Sequence, residues 1–585
     1  MSSDSRTTKK RATLASTYAN YKIGKGESIE EIDCKEVKGI SGIDFFNQYI
    51  KCRKPVVFKN YQGSSTTPSD DKSSPTNSVI DLQKFTPSNI LETLDYSDDL
   101  QIEKKFKYGF GSGQKREKFS LNKLLDLFAQ GNEDYYLTTQ YDFDDPDLNE
   151  SDDDDEDEDD NVASGFEIGM SGGSHSNEDE SDEEDIGSHD DLGNADGNNE
   201  DFSDEGNAED DDNDEELDDE EKLAAALAFS DVSSIDLEDL HDDFVDSDED
   251  ESHEVMVNEE MQITQSECDQ RLKDLLQPPL TKLVEKPEIL PIIPDLFSTL
   301  IPQQINLWMG YVDGSKPQSI ELDSTDKQTY GLGKLIPGAR KGTSSGLHHD
   351  HADNLYILVS GAKRFTLYSP ADALKLQTVG TIYKLYNSGI IDYEVNEFAP
   401  DWKHIRDDGA IIEEITRWQL EKLDVNDKEG RAELTKQLQY FEKLTVPGVK
   451  AKSEKLDPPN FSKIPPALIH IEEFSDPETR EKLTAFANEH FPGLLDLNKF
   501  TVHLEPGEML YLPAGWFHEV SSFGADPKAA TTAEHGNLTN VHIALNYWFI
   551  PPNGIDPEKC YTDSYWEEDW KRTNACIEAS RTNTD

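Results

Sequence analysis

The stretch SSGLHHDHADNLYILVSGAKRFTLYSP, residues 344–370, sets three histidines and two aspartates into the six positions 348–353, just ahead of an alternating apolar run. Imidazole nitrogen and carboxylate oxygen are donors for divalent transition metals, and on a strand residues two apart share a face. His348 and Asp350 make one such pair; His351 and Asp353 make a second, overlapping one. Either pair, joined by an imidazole from a distant strand, would cover one side of an ion and leave the other open, a set that suits Fe(II) and dioxygen chemistry. A His-x-Asp triplet also arises by chance in a chain of 585 residues, as solvated side chains at a strand entrance. The residues alone leave both registers and that blander reading open.

The elements able to position these groups are mostly strands. QQINLWMGYV (303–312), FTLYSP (365–370), KFTVHLEPGEMLYLPAGWFHEVSS (499–522) and NVHIALNYWFIPP (540–552) all read as β-structure. Upstream, Phe45, Phe46, Tyr49 and Ile50 fall at helical spacing, PVVF (55–58) reads as a buried strand, and YYLTTQY (135–141) as a short β-prone piece. IIEEITRWQLEKL (411–423) and AELTKQLQYFEKL (432–444) carry apolar residues at i, i+4 and i+7 and form a helical pair around a turn at Gly430. The organisation expected is a flexible tail at 1–27 and a first folded part at 28–141. An acidic insertion follows at 142–260, then a β-rich body at 261–555 with a helical insertion near 395–470, and a helical segment at 556–585.

The net charge of −67 belongs largely to one segment. Residues 142–260 hold 54 Asp and Glu against one basic residue, Lys222, whereas the remainder holds 68 acidic and 54 basic residues, an ordinary balance. Such a stretch cannot bury enough apolar surface to offset ordering, so it is expected to be disordered, with EEKLAAALAFSD (220–231) as a transiently helical exception. Two uses stand side by side: long-range attraction of a basic partner such as a histone, a ribosomal protein or an RNA-binding protein, or a solvated insertion that aids solubility. Direct nucleic-acid binding is disfavoured, because phosphate would be repelled and no basic patch interleaved with aromatics stands out. Five scattered cysteines without a C-x-x-C pair fit a reducing compartment, and no run of eighteen apolar residues suggests a membrane span. The expectation is a cytoplasmic or nuclear protein with no membrane partner; KKR at 9–11 reads as part of a solvated tail more readily than as a nuclear signal. Oligomeric state is not legible.

The wider pattern around the triplet resembles the JmjC-domain family of Fe(II)- and 2-oxoglutarate-dependent oxygenases, particularly the small protein hydroxylases of the factor-inhibiting-HIF group. In that family an Asn follows the Asp of H-x-D by four residues, and a Lys lies nine beyond it in a G-x-K-R turn. From His348 the steps reach Asp350, Asn354 and Lys363 in SGAKRF; from His351 the lysine position is Thr366. The resemblance thus selects the first register and sends His349 and His351 to the other side or to the mouth. It implies His518, five residues past Pro513 in YLPAGWFH, as the third ligand, over His503, His535 and His542, which lack that context. It further implies Lys363 as partner of the buried distal carboxylate of 2-oxoglutarate, with Ser345, Tyr136, Asn354 and Asn546 as further co-substrate contacts.

What the resemblance implies for the whole is a mainly β protein with helical additions, built on a double-stranded β-helix (jelly roll, cupin) core that carries the acidic insertion. The implied activity is an iron, 2-oxoglutarate and O2-dependent dioxygenase that hydroxylates a protein side chain. Three alternatives are a JmjC histone lysine demethylase, a non-catalytic jelly-roll scaffold for protein binding, and a cupin using another metal without 2-oxoglutarate. The absence of zinc-type cysteine spacing for a chromatin-reader module favours hydroxylation over demethylation.

Overall fold

The strand Val541–Phe549 shows how the chain is layered. Val541, Ile543, Leu545, Tyr547 and Phe549 enter one buried apolar cluster, while Ala544 enters another. Alternate side chains therefore serve a core on each face of the sheet, which is why this strand is apolar almost throughout. The computed structural model describes residues 15–34, 40–60, 80–105, 109–111, 115–140, 256–258, 261–314, 322–323, 325–326, 329–337, 341–442, 457–524 and 536–582. All of them belong to one unit formed by residues 1–142 and 232–585. The acidic insertion, save 256–258, and the basic tripeptide at 9–11 lie outside the described residues.

Eight strands form the body: β1 Pro302–Tyr311, β2 Gly342–His348, β3 Asp353–Ser360, β4 Ala362–Tyr368, β5 Phe500–Leu504, β6 Met509–Leu512, β7 Phe517–Phe523 and β8 Val541–Phe549. They pair antiparallel in the orders β6-β3-β8-β1 and β2-β7-β4-β5. These two facing sheets are the double-stranded β-helix. The first sheet is extended beyond β6 by Val56–Lys59 and Glu30–Asp33, and beyond β1 by Tyr135–Leu137, Asp99–Lys104 and Arg116–Ser120. The N-terminal part thus frames both edges of the larger sheet.

Between the sheets, Tyr356, Leu358, Phe365, Leu367, Val520 and Ala544 share one cluster. On the outer face of the larger sheet a bigger cluster joins β8 to Phe45, Phe46 and Ile50 of the first helical segment, to Leu272 and Phe297, and to Cys576 and Ile577 of the C-terminal helix Tyr565–Thr582. The connection from β4 to β5 runs over 369–499, wider than the 395–470 expected. It includes the small hairpin Ile382–Leu385/Ile391–Tyr393 and the helices Ile412–Lys422, Lys428–Glu442 and Pro477–His490. Among the described residues no helix is long and apolar enough to cross a membrane.

Candidate metal centre

Strand β2 ends at His348, whose Cα lies directly opposite His518 of β7. Just before it the ladder slips between Ser344 and Leu347, and Gly346 adopts φ +80°, a left-handed conformation that costs glycine little. After this bulge Leu347 joins the apolar cluster behind the smaller sheet, and the His348 and His518 rings come to 4.3 Å between centroids. Asp350 is not on the strand: it lies in the connection 349–352, so the expected shared strand face does not align it with His348. The turn does so instead, held by the Gly515 N–H, which donates to the Asp350 carbonyl at 2.8 Å. Asp350 Oδ2 reaches 3.7 Å from His518 Nε2, and one ligand atom each of His348, Asp350 and His518 lies within 4.8 Å of the others.

Hydrogen bonds behind these groups suit a metal. His348 Nδ1 is 3.1 Å from the Gly346 carbonyl and His518 Nδ1 is 3.0 Å from the Trp516 carbonyl. A carbonyl only accepts, so each Nδ1 carries the proton and each Nε2 keeps a lone pair for an ion. Burial, then the neighbouring His518 imidazole and the Lys334 ammonium, hold His348 well below the usual histidine range, in the neutral form a ligand needs. Asn354 Nδ2 donates to Asp350 Oδ2 at 3.2 Å and fixes the carboxylate. Phe461, from the β4–β5 connection, stacks on His348 at 4.7 Å.

The second triplet has other work. Asp353 is fully buried in an ion pair with both terminal nitrogens of Arg53, and it accepts from Tyr511 Oη at 2.7 Å and from the Ala514 N–H at 3.0 Å. Four donors use up its lone pairs. His351 Nε2 lies 3.0 Å from the Ile391 carbonyl, and His349 Nε2 lies 2.5 Å from Tyr393 Oη. Both histidines therefore turn toward the 382–393 hairpin.

Deeper between the sheets stands Lys363, 2% exposed. Its Nζ donates to Ser522 Oγ at 2.6 Å and to Tyr136 Oη at 3.1 Å, and lies 5.5 Å from the ring centres of Phe110 and Tyr136. Among the described residues no carboxylate pairs with it. Burial, and the Lys105 ammonium beyond, push its pKa well below the usual lysine range. A buried cation bonded only to hydroxyls is a costly arrangement that an incoming anion would relieve.

Ser345 does not offer its hydroxyl here. Its proton goes to the Gly346 carbonyl at 2.8 Å, while its oxygen accepts from the Val520 N–H at 3.1 Å, pinning the bulge. The hydroxyls in register with Lys363 are Ser522 and, across β7, Thr343, whose buried Oγ1 has no partner. Sequence reasoning missed both. Ser522 was findable, because it stands an even number of residues beyond His518 on one strand; Thr343 was hidden by the bulge. Asn546 stands on the inner face of β8, its buried Oδ1 unpartnered, as is Oδ1 of Asn354. His503 projects from the exposed face of β5, and His535 lies outside the described residues.

Comparison with known proteins agrees with this geometry. The family described as a cupin-like domain matches residues 181–555. A protein of Schizosaccharomyces pombe named JmjC domain-containing protein 4 is 29% identical over 319 residues, 45% of this chain. The match spans 58% of that relative's length.

Proposed function

This chain belongs to the cupin-like domain family, and from that premise and its His348–Asp350–His518 triad we propose that it is an Fe(II)- and 2-oxoglutarate-dependent dioxygenase that hydroxylates a protein side chain. The observation that carries the reading is Lys363, a buried ammonium without a carboxylate, set deeper in the same barrel as an open-sided set of two imidazoles and one carboxylate. A plain metal-binding cupin has no use for that cation. A five-carbon diacid gripped at both ends does.

His348, Asp350 and His518 would hold the iron, which when bound supplies activation of dioxygen and a Lewis-acidic anchor for a 2-oxo acid. The chain's own residues do the rest. Lys363, Tyr136 and Ser522 bind the distal carboxylate and set the depth of the co-substrate. Asn354 holds Asp350 in orientation, and the two backbone carbonyls behind the imidazoles fix the ring tautomers. Phe461 against His348, and the stacked pair Phe110–Tyr136 at 3.9 Å, keep water from the walls. Hydroxylation is favoured over histone demethylation because the five scattered cysteines show no zinc-type spacing and, among the described residues, the triad is the one group able to hold a metal.

The test is conversion of 2-oxoglutarate to succinate by the purified chain, dependent on Fe(II) and absent in His348→Ala. A protein product heavier by one oxygen, with methyl groups on histone peptides left intact, supports hydroxylation. Loss of methyl groups would instead establish demethylation. Iron without turnover, or wild-type turnover by His348→Ala, would sink the proposal.

A further inference from the structure

His542 lies on the inner face of β8, fully buried, and among the described residues neither ring nitrogen has a hydrogen-bond partner. A buried polar atom left unmatched is destabilising, so a ring with two of them asks what it is for. The fold makes room for it. A Cβ at Gly310, its neighbour on β1, would meet His542 Nε2 at 2.6 Å and Tyr136 Cδ2 at 2.5 Å. Gly361, at φ +85°, lies so close that a Cβ there would meet His542 Cβ at 2.6 Å. The ring centre is 5.5 Å from that of Tyr136, whose hydroxyl is the one that meets Lys363.

We propose that His542 is a further anion-binding residue, which grips the co-substrate's distal carboxylate together with Lys363. The inference rests on the co-substrate reading above and adds a residue to it. The ionisable groups that face His542 are Lys363 from β4, Tyr136 from its short strand, and Lys105, which lies 6.0 Å from the Tyr136 ring centre; β1 opposes it with Gly310 alone. The acids stand one step further out, Glu519 acting on Lys363 and Glu103 on Lys105 and Tyr136, and none of them acts on His542 itself. Burial, then Lys363 and Lys105, hold the empty imidazole neutral, well below its usual range. An anion placed among these groups reverses that balance and draws a proton onto the ring. Binding then takes up a proton, and affinity falls as pH rises.

The experiment is calorimetric titration of the full chain, loaded with Mn(II), by 2-oxoglutarate and by succinate between pH 6 and 8. Wild type is compared with His542→Phe and His542→Gln. Phenylalanine removes both nitrogens and keeps the ring, so affinity for both acids should fall roughly tenfold or more, with the pH slope flattened. Melting of the empty protein should hold or rise, since two unmatched atoms are gone. That combination is one a merely structural histidine does not give. Glutamine, which restores an N–H without a titrating charge, should recover part of the affinity and none of the slope. Unchanged affinity and slope in His542→Phe, with wild type binding normally, would overturn this inference alone. Failure of wild type to bind either acid would overturn it together with the co-substrate reading.

Discussion

Replacing Lys363 by Met separates the cost of the ammonium in the empty protein from its use in the loaded one. Methionine fills nearly the same space without charge. In the empty protein it removes a buried cation whose partners, among the described residues, are the hydroxyls of Ser522 and Tyr136 and the ring faces of Phe110 and Tyr136. Taking an ion out of water costs several kcal/mol, and two charge-assisted hydrogen bonds return about 1.5–3 kcal/mol each, so the variant should be more stable by about 0–2 kcal/mol and melt no lower than wild type. The pH dependence has a fixed sign. Lys363 is depressed in the folded state, so between its folded and unfolded pKa the unfolded chain binds the extra proton. Wild-type stability relative to the variant therefore rises with pH toward the ordinary lysine range, and the advantage of Lys363→Met is largest at low pH. Loaded, the order inverts. Removing one partner of a buried charge pair costs about 3–5 kcal/mol, a loss of roughly 10²-fold to several thousand-fold in 2-oxoglutarate affinity. Thermal unfolding from pH 6 to 9, with and without Mn(II) and 2-oxoglutarate, reads both halves. A variant that melts lower when empty and still binds the diacid would make the ammonium structural and refute the reasoning.

Asp353→Asn should destabilise the fold by about 3–5 kcal/mol, because it strands the buried Arg53 guanidinium, while Mn(II) affinity stays at the wild-type value in titrations. Asp350→Asn should do the reverse, abolishing iron-dependent succinate formation with a melting temperature near wild type; the two variants together test which triplet binds metal. Asn354→Ala should weaken Mn(II) binding by roughly tenfold, as loss of a partner behind a ligand does, and a wild-type binding isotherm would remove Asn354 from the site.

Strands were legible where both faces are buried or alternation is strict: Val541–Phe549, Phe517–Phe523 and Pro302–Tyr311 all stand where apolar periodicity puts them. Helical spacing likewise located the buried face of Phe45 to Ile50, but on Ile412–Lys422 it caught Ile415 and missed Leu420, with Trp418 only half-buried. The site was legible only as far as register could be counted. His348, Asn354 and Lys363 lie on consecutive strands of one short run of sequence, but Asp350 belongs to a turn, which a period of two does not describe. Ser345 went astray for the same kind of reason. A bulge changes which side chain faces in, and its one sign in the sequence is Gly346, a glycine inside a strand pattern. Phe461 and Phe110 reach the site from elsewhere in the chain, and contacts of that span leave no local signal.

The layout also explains why the flanking segments are part of the fold and not ornaments on it. A jelly roll that held only apolar side chains between its sheets would be stable and inert. Here the inner space is shared: Phe365, Leu367, Val502 and Trp516 pack one part, while Lys363, His542, Asn546 and the three ligand residues take up positions that would otherwise contribute apolar burial. Unmatched atoms on Thr343, Asn354, Asn546 and His542 add a further cost of about 1–3 kcal/mol apiece. The larger cluster on the outer face of the big sheet offsets this. It runs from Ile32 through Phe45, Phe128, Leu272 and Phe297 to Ile577, so it draws on residues both before and after the eight strands. The N-terminal frame and the C-terminal helix thus stabilise β1, β3 and β8 from behind, which lets those strands carry polar side chains inward. A domain trimmed to the eight strands and their turns would keep His348, Asp350, His518 and Lys363, but lose Tyr136 and the burial that tolerates them.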